Sequence, residues 1–486
     1  MIRRMTSTEG MPDTVRLPDY QRDDHGVGIV HIGLGAFHKA HQAVYTDSAL
    51  SQTGGDWRII GVSLRSAAPS EELQPQNGLY TLIERDASGS RARVIGAIAA
   101  AYCLKTDREA VEAALLAAET RIVSITVTEK GYGLSRATGG VDPTHPAIAQ
   151  DLKRPSEAQG VAGLLVWAIG QRRALGRAPF TVLCCDNLPE NGRVLRGLLV
   201  DFARRAAPDL ADHIARDVAF PSTMVDRITP AATQDTLDLA EHMTGYRDKA
   251  AIETEGFHQW VIEDHFPTGR PKWEAGGAVF ASDVRPYENM KLRMLNGAHS
   301  MLAYVGFAAG HQYVRDVMAD PDLSQLVARH LSAAAATLAP LPGVDFGAYA
   351  NQLAERFCNP HLAHATFQIA MDGSEKMPQR IFSAVPDAGA NAGDIRAFAF
   401  ATAAWLRHLS LSTHDCAPYE LRDPRAADLR AMAQGQHAPD LVQAVRAASF
   451  VPRDVAQDAA FWDLVATLLQ EMLTRPMAEV ISREVA

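Results

Sequence analysis

The sequence predicts an α/β N-terminal region built on a mostly parallel sheet, followed by a mainly α-helical C-terminal region. Short apolar runs rich in β-branched residues alternate with helical segments as far as Ala206. The alternation fades by roughly residue 285, beyond which Ala/Leu-rich segments of helical period dominate. A strand-to-helix turn with two glycines opens the pattern. We expect one domain over residues 1–286 and a second over residues 287–486.

The elements of the first domain follow from its hydrophobic pattern. Short runs bounded by polar or glycine residues predict the strands Val27–Ile32, Trp57–Leu64, Val94–Ile98, Arg121–Val127 and Phe180–Cys185. The stretches between them predict the helices His38–Leu50, Glu109–Glu119, Val161–Leu175 and Gly192–Ala206. A strand-helix alternation of this kind is typical of a parallel sheet with crossover helices. The residues before Val27 predict a flexible arm, neither a signal peptide nor a spanning helix.

The second domain shows helical periodicity and few strand signals. The predicted helices are Asn289–Gly306, Leu323–Leu338, Phe346–Glu355, Gly393–Leu411 and Phe461–Leu473.

Composition and charge narrow the function. The chain has 486 residues, with 47 Lys and Arg against 57 Asp and Glu, for a net charge of −10. This balance disfavours nucleic-acid binding, and no apolar run reaches the roughly 18 residues of a membrane span. Five cysteines, none in a CxxC pair, indicate a cytoplasmic protein without a disulfide framework. The chain has no HExxH motif or other zinc spacing, so we expect no metal and a small-molecule partner.

The turn Gly33-Leu34-Gly35-Ala36-Phe37 predicts a cofactor site. Glycines after a strand let the backbone turn tightly and approach a pyrophosphate, which then meets the start of the helix. The third glycine of the dinucleotide fingerprint is replaced by His38, and any strand-to-helix turn can use glycine. Near the end of the second strand, where an acidic residue favours NAD, the chain has Arg65. That arginine suits the 2′-phosphate of NADP or lies on the surface near the adenine, so the cofactor choice stays open.

Polar residues on one predicted helix suggest catalysis. At about 100° per residue, Asn296 lies about 140° and His299 about 80° from Lys291. This pattern fits a solvated helix face, or a polar cluster in which a desolvated lysine acts as general base. Asn187 follows the carboxyl end of the strand Phe180–Cys185. Its side-chain amide would donate a hydrogen bond to a substrate oxygen that gains negative charge, or it caps the next helix. The segment with Thr128 and Glu129 follows a strand in the same way, so it should line the same crevice.

These residues stand in segments that resemble one known family. The sequence is similar to the polyol-specific long-chain dehydrogenases/reductases, which include mannitol 2-dehydrogenase and fructuronate reductase. The similarity is carried by IVHIGLGAFHKAHQAVY (Ile29–Tyr45), SITVTEKGY (Ser124–Tyr132), CDNLPENG (Cys185–Gly192), FPSTMVDRITP (Phe220–Pro230), QWVIEDHF (Gln259–Phe266), KLRMLNGAHS (Lys291–Ser300) and QIAMDGSEKMPQR (Gln368–Arg380).

The resemblance implies a zinc-independent dehydrogenase with an N-terminal Rossmann-type domain, a helical C-terminal domain and an active site between them. It implies that Lys291 is the general base and that Asn187 and Asn296 form an oxyanion hole. Glu129 would pass the proton towards solvent, and His299 and Asp226 would bind the substrate. The cofactor would meet residues of the glycine turn and of the neighbouring strand ends, namely Gly33, Leu34, Gly35, Ala36, Phe37, Arg65 and Thr128.

The resemblance also implies a substrate. The segment Gln368–Arg380 and the turn Glu129–Tyr132 are closer to fructuronate reductases, so we expect D-fructuronate/D-mannonate as substrate pair and NAD as cofactor, with NADP open. Lys376 and Arg380 would meet the substrate carboxylate, or form an exposed basic loop. The alternatives are mannitol/fructose, D-arabinitol, tagaturonate and a dinucleotide-binding sensor without catalysis. We expect a monomer.

Overall fold

A computed structural model describes residues 3–135, 138–361, 364–390, 394–410, 419–434 and 437–486. The chain divides into two compact units, Met1–Arg285 and Pro286–Ala486. Four cysteines are described, and all are free thiols, whereas Cys416 lies outside the described residues. No helix in the described part of the chain is long and apolar enough to cross a membrane.

The first unit contains the strands of the described chain. They are β1 (Val27–Ile32), β2 (Arg58–Ser63), β3 (Tyr80–Asp86), β4 (Gly89–Ile95), β5 (Ile98–Cys103), β6 (Ile122–Ile125), β7 (Thr181–Cys184), β8 (Thr223–Asp226), β9 (Ile252–Thr254), β10 (Gln259–Glu263) and β11 (Val279–Ala281).

A five-stranded parallel sheet forms the centre of this unit. Its spatial order is β5-β2-β1-β6-β7, which in the sequence order of the parallel strands is 3-2-1-4-5. This is the doubly wound order of the Rossmann fold, whose ligand crevice lies at the carboxyl ends of the strands where the order reverses. Here the reversal falls between β1 and β6, which pair with Ile32 opposite Ile125. The predicted Rossmann-type fold of the N-terminal domain is confirmed.

Helices cover both faces of this sheet. Val30 and Ile32 of β1 belong to one apolar cluster, whereas Ile29 belongs to a second one, as expected for a strand buried on both sides. The helices of this unit are α1 (Ala36–Ala40), α2 (Gln42–Thr53), α3 (Ala68–Leu73), α4 (Arg108–Leu116), α5 (Pro146–Lys153), α6 (Val161–Ala174), α7 (Asn191–Ala206), α8 (Pro208–Asp217) and α9 (Gln234–Thr244).

Three expectations for the first unit were wrong. The segment before Val27 is packed on the unit, because its apolar residues Met5 and Val15 are buried in a small cluster. The predicted helix from His38 to Leu50 is broken at His41, where φ is −119° and ψ is −92°. The predicted strand Val94–Ile98 spans the connection between β4 and β5, and β3 pairs antiparallel with β4.

The second unit is helical throughout its described elements, and its predicted mainly helical character is confirmed. Its helices are α10 (Arg285–Met290, whose first residue belongs to the first unit), α11 (Gly297–Ala308), α12 (Val314–Ala319), α13 (Pro321–Ala336), α14 (Phe346–Phe357), α15 (Thr366–Ile369), α16 (Gly373–Arg380), α17 (Val385–Ala390), α18 (Ile395–His408), α19 (Ala426–Ala433), α20 (Ala438–Arg446), α21 (Arg453–Gln457), α22 (Ala459–Thr474) and α23 (Met477–Val485). Between α10 and α11 lies a π-helical turn, Lys291–Asn296.

Candidate active site

The glycine turn follows β1 at the point where the strand order reverses. The Gly33 and Leu34 amides donate to the Val62 carbonyl at 2.7 and 3.1 Å, which ties the turn to the end of β2. Gly33 has a φ of +99°, and an added Cβ would lie 1.9 Å from the Thr126 carbonyl oxygen. Only glycine fits this position.

Gly35 has free space where its side chain would lie, whereas the corresponding space at Gly33 is filled by Thr126. Its backbone is extended, with a φ of −137° and a ψ of −174°. A Cβ there would meet one atom within 4 Å, the Gly33 carbonyl oxygen at 3.7 Å. Packing against the residues that the structure describes therefore does not explain a glycine here, whereas the close approach of a ligand would. This space beside Gly35 fits the pyrophosphate of a dinucleotide.

Two further predicted cofactor residues lie on the surface at the same edge of the sheet. Arg65 is exposed, two residues after the end of β2, and no acidic residue precedes it after the strand. Thr128 is exposed and precedes a short helical turn, Glu129–Tyr132. Both stand at the carboxyl ends of strands, where the fold places its ligand.

Asp186 organises the carboxyl ends of β6 and β7. Its carboxylate accepts hydrogen bonds from the Val127 amide at 2.9 Å and from the Tyr132 hydroxyl at 2.5 Å. Burial raises the pKa of this carboxyl to about 6. The carboxylate thus ties the turn that carries Glu129 to the strand end that carries Asn187, and both of these side chains are exposed. We did not predict this structural role of Asp186.

Asp226 is supplied by a second sheet of the first unit. It ends β8, which belongs to a three-stranded sheet with β10 and β11, and it is buried. The neighbouring Arg227 is also buried, and its guanidinium bonds Glu84 at 2.6 Å and the Glu255 carbonyl at 3.0 Å. The predicted substrate aspartate therefore lies in a buried polar region of the first unit, on a strand whose first residue, Thr223, bonds the Cys184 carbonyl at the end of β7.

The π-helical turn carries two of the predicted catalytic residues, Lys291 and Asn296. In an α-helix they would lie about 140° apart. In a π-helix hydrogen bonds run from residue i to i+5, so residues five apart lie one turn above each other. The turn therefore brings Lys291, which is 9 % exposed, and the half-buried Asn296 to the same face. Our expectation of a regular α-helix was wrong here, and the sequence pattern gave no sign of the wider turn.

Arg380 and Lys376 both bond to backbone carbonyls of the second unit. One guanidinium nitrogen of Arg380 donates to the Ser300 hydroxyl at 3.1 Å and to the Asn296 carbonyl at 3.5 Å. The Lys376 ammonium donates to the Ile369 and Met371 carbonyls at 3.1 and 2.6 Å. Lys376 is therefore not the exposed loop residue that our alternative interpretation allowed, and part of its bonding capacity is used within the protein.

His299 lies in aromatic and basic surroundings. Its ring stacks on Phe357 with centroids 5.4 Å apart, and the His364 ring lies at the same distance. Burial, and then His364, Arg380, Arg356 and Lys376, hold the pKa of His299 well below its usual range. We call these five residues (His299, His364, Arg356, Lys376 and Arg380) the basic cluster. We had not predicted the part that Arg356 and His364 take in it, because the cluster unites separate helices and connections.

No group of three or more His, Cys, Asp or Glu side chains that could hold a metal ion occurs among the residues that the structure describes.

Two family models match the chain. The mannitol dehydrogenase Rossmann domain matches residues 27–275, and the mannitol dehydrogenase C-terminal domain matches residues 283–473. The chain belongs to the mannitol dehydrogenase family. As a family member it is an oxidoreductase that acts on CH–OH donors with a nicotinamide cofactor, and the resemblance inferred from its motifs is confirmed.

Relatives within the mannitol dehydrogenase family carry different substrate names. The chain is 40% identical to the D-mannonate oxidoreductase of Escherichia coli (strain K12) over 460 residues, 93% of this chain and 95% of the relative. It is also 40% identical to a mannitol 2-dehydrogenase of Pyrenophora tritici-repentis over 467 residues, 94% and 81% of the two chains. A solved ternary complex of Pseudomonas fluorescens mannitol 2-dehydrogenase with NAD and D-mannitol superimposes with a TM-score of 0.84 at 33% identity, covering 100% of this chain and 99% of that one.

Proposed function

We propose that this family member is a fructuronate reductase, which interconverts D-fructuronate and D-mannonate with NAD(H). The basic cluster is the observation that carries the proposal. Asp372 lies 4.0 Å from the Lys376 ammonium and balances part of the positive charge of this cluster. A substrate carboxylate would balance more of it, whereas mannitol and fructose have no charge. Guanidinium–carboxylate hydrogen bonds are among the strong ones in proteins.

The uncharged His299 fits the same interpretation. An imidazole that stays neutral near several basic groups acts as a hydrogen-bond partner without adding a further charge. Its stacking on Phe357 fixes the ring plane, so that a ring nitrogen can be directed at a substrate oxygen. We assign to His299 the binding of substrate hydroxyls. Asp226 is proposed as a second substrate-binding residue, on its match to the family motif alone.

The residues of the π-helical turn would carry the proton chemistry. A bound nicotinamide ring supplies the hydride acceptor or donor. Lys291 is buried, and its amine would take the proton from a secondary alcohol. The side-chain amides of Asn296 and Asn187 would each donate to the oxygen that gains negative charge. Glu129, which is exposed, would return the proton to solvent.

The glycine turn would hold the cofactor. Gly33, Leu34, Gly35, Ala36 and Phe37 fit a pyrophosphate because Gly35 leaves open space beside the backbone. Arg65 and Thr128, at neighbouring strand ends, would contact the rest of the dinucleotide. We propose NAD, in line with the similarity to a solved NAD complex. Comparing kcat/KM for NADH and NADPH tests this choice, and a preference for NADPH that Arg65→Ser removes would overturn it.

A substrate panel tests the proposed reaction. With NADH and purified protein, we expect kcat/KM for fructuronate to exceed that for fructose by at least a hundredfold. Higher turnover of fructose would instead make the protein a mannitol 2-dehydrogenase, the candidate that the 40% identity to such an enzyme favours. No turnover of any uronate, ketose or polyol would favour a dinucleotide-binding sensor.

Substitutions in the basic cluster test the carboxylate assignment. A charged hydrogen bond contributes roughly 1.5–3 kcal/mol, so Arg356→Gln should lower kcat/KM for fructuronate about tenfold to hundredfold. Fructose reduction should change much less, and Lys376→Met should show the same bias. Arg329→Gln, an exposed arginine of the same unit, is the matched control. Equal losses for charged and uncharged substrates would contradict the assignment.

A further inference from the structure

A buried row of polar side chains lies directly beneath the glycine turn of the first unit. His31 of β1 and Ser124 of β6 are opposite each other in the parallel sheet, and Gln42 is the first residue of α2. The exposed fractions of the three are 0%, 0% and 1%. Polar groups buried this deeply are costly unless they are hydrogen-bonded.

These side chains form a continuous chain of contacts that ends on the turn. Oε1 of the Gln42 carboxamide lies 2.6 Å from the Ser124 hydroxyl oxygen. That oxygen lies 2.8 Å from Nδ1 of His31. Nε2 of His31 lies 3.3 Å from the carbonyl oxygen of Gly33.

The direction of the hydrogen bonds follows from the charge of His31. Burial lowers the pKa of this imidazole to about 3, so at neutral pH the ring carries one proton. A proton on Nδ1 would leave the bare Nε2 facing the Gly33 carbonyl, which places two acceptors together. A proton on Nε2 makes both contacts attractive, with Nε2 donating to Gly33 and Nδ1 accepting from the Ser124 hydroxyl. As placed, the Gln42 carboxamide turns its oxygen to Ser124, whose hydroxyl would then donate to Gln42 rather than to His31. The Nε2–H form therefore requires this carboxamide to be turned by 180°, so that its nitrogen donates to Ser124, an exchange of amide oxygen and nitrogen that the hydrogen-bond network decides.

We propose that His31, oriented by Ser124 and Gln42, is a positioning residue that holds the Gly33 carbonyl for dinucleotide binding. Among the described residues other than Leu34, Gly35 and Ala36, this oxygen is the one atom within 4 Å of a Cβ built on Gly35, so its position shapes the place proposed for the pyrophosphate. The hydrogen bond to His31 occupies one lone pair of this oxygen and fixes its position. The inference rests on the proposed cofactor role of the glycine turn.

His38 supports this picture independently. Its ring stacks on His31 with centroids 3.5 Å apart and an angle of 16° between the planes, which fixes the His31 ring from the side of α1. It takes the place of the third glycine of the dinucleotide fingerprint. The stacked imidazoles of His31 and His38 thus pack closely at the position where other proteins of this fold use glycine for close packing.

Replacing His31 tests which ring nitrogen acts. In His31→Gln the side-chain nitrogen takes the place of Nε2, whereas in His31→Asn it takes the place of Nδ1, and His31→Leu removes both. We expect Asn and Leu to raise the Kd for NADH about tenfold, which corresponds to about 1.4 kcal/mol. Gln should stay within about threefold of the wild type, and kcat at saturating NADH should change little in all three. Gln76→Met removes a buried amide bonded to Leu79 and Asp248, so it should lower the melting temperature without changing the Kd.

Several results would overturn the inference. They are an unchanged Kd in folded His31→Leu, an equal Kd in the Asn and Gln variants, or a fall in kcat with an unchanged Kd. If the variants do not fold, ¹⁵N NMR of the histidine rings in the wild-type protein decides, because the two tautomers have different nitrogen shifts. The Nε2–H form of His31 supports the proposed hydrogen bonds from Gln42 to Gly33, and the Nδ1–H form overturns the inference. A wild-type protein that binds no dinucleotide would instead contradict the proposed function.

Discussion

Gly33→Ala and Gly35→Ala form a matched pair, because the two glycines lie in the same turn but meet different surroundings. Alanine at Gly33 would need a φ of +99° and would press its Cβ to 1.9 Å from the Thr126 carbonyl oxygen. Alanine at Gly35 would keep an extended backbone, and its Cβ would meet one atom at 3.7 Å. The first substitution should therefore damage the fold, and the second should damage ligand binding.

The expected magnitudes differ accordingly. Left-handed backbone costs an L-residue about 1–2 kcal/mol, and the contact with Thr126 forces the end of β6 to move as well. We expect Gly33→Ala to lower the free energy of unfolding by about 3–5 kcal/mol, and the melting temperature of the first unit by about 10 °C. Gly35→Ala restricts the unfolded chain without strain, so it should change stability by less than about 1 kcal/mol. Its methyl group fills the space proposed for the pyrophosphate, and the loss of one or two hydrogen bonds there should raise the Kd for NADH about thirtyfold.

Thermal unfolding and fluorescence titration with NADH, measured on the same preparations, separate the two effects. The reasoning predicts a folded Gly35→Ala protein with weak NADH binding and a destabilised Gly33→Ala protein. A Gly35→Ala variant that binds NADH with wild-type affinity would refute the assignment of the cofactor turn. A Gly35→Ala variant as unstable as Gly33→Ala would refute the difference in their surroundings.

Three further predictions concern the proposed chemistry and its support. Lys291→Met should lower kcat at least about a thousandfold with an unchanged Kd for NADH, and near-normal turnover would exclude Lys291 as the base. Incubation with EDTA should leave the rate unchanged, and a loss that zinc restores would contradict the metal-free mechanism. The raised pKa of Asp186, about 6, means that its contribution to stability is present below about pH 4 and is lost as the pH rises through about 6, a difference of up to about 3 kcal/mol. In urea unfolding, Asp186→Asn should therefore flatten the fall in stability between these pH values, and an unchanged profile would contradict this.

The parallel sheet was predictable because its strands are buried on both faces. The predicted strand Val27–Ile32 has the observed bounds, and the predicted strands Arg121–Val127 and Phe180–Cys185 enclose β6 and β7. A continuous run of β-branched residues is stable in the centre of a parallel sheet and unstable as an exposed element. Burial on both sides thus leaves a signal in the local sequence.

The hairpin of β3 and β4 was missed for the opposite reason. β3 ends and β4 begins with polar residues, and the exposed part of β4 reads Gly89-Ser90-Arg91. Gly89, with a φ of +129°, begins β4 directly after the turn. The pair Ser88-Gly89 at the start of β4 was an available turn signal. We instead predicted a strand from the apolar run Val94–Ile98, which includes the connection after β4. To predict a strand with one solvent-exposed face, the alternation of polar and apolar residues and the turn signal must be considered together.

The residue types of the candidate site were predictable, but their contacts were not. Motif similarity selected Lys291, Asn296 and Arg380, yet nothing near them in the chain shows that one guanidinium bonds the Asn296 carbonyl. The partners of Lys376 are backbone carbonyls, which every residue has and which no pattern identifies.

The π-helical turn gives Arg380 a structural role beside the substrate contact that we propose for it. A turn with hydrogen bonds from i to i+5, set between two α-helices, disturbs the regular pairing of carbonyls, and such turns are frequent at functional sites. Arg380 supplies a donor to the Asn296 carbonyl at the end of this turn, and the absent side chain of Gly297 lets the Arg380 backbone approach, since a Cβ there would lie 3.0 Å from its carbonyl oxygen. One guanidinium nitrogen makes both described bonds, and a guanidinium has five N–H donors. The Arg380 side chain can therefore bond the Asn296 backbone at the end of the π-helical turn and still have N–H donors for the proposed contact with a substrate carboxylate.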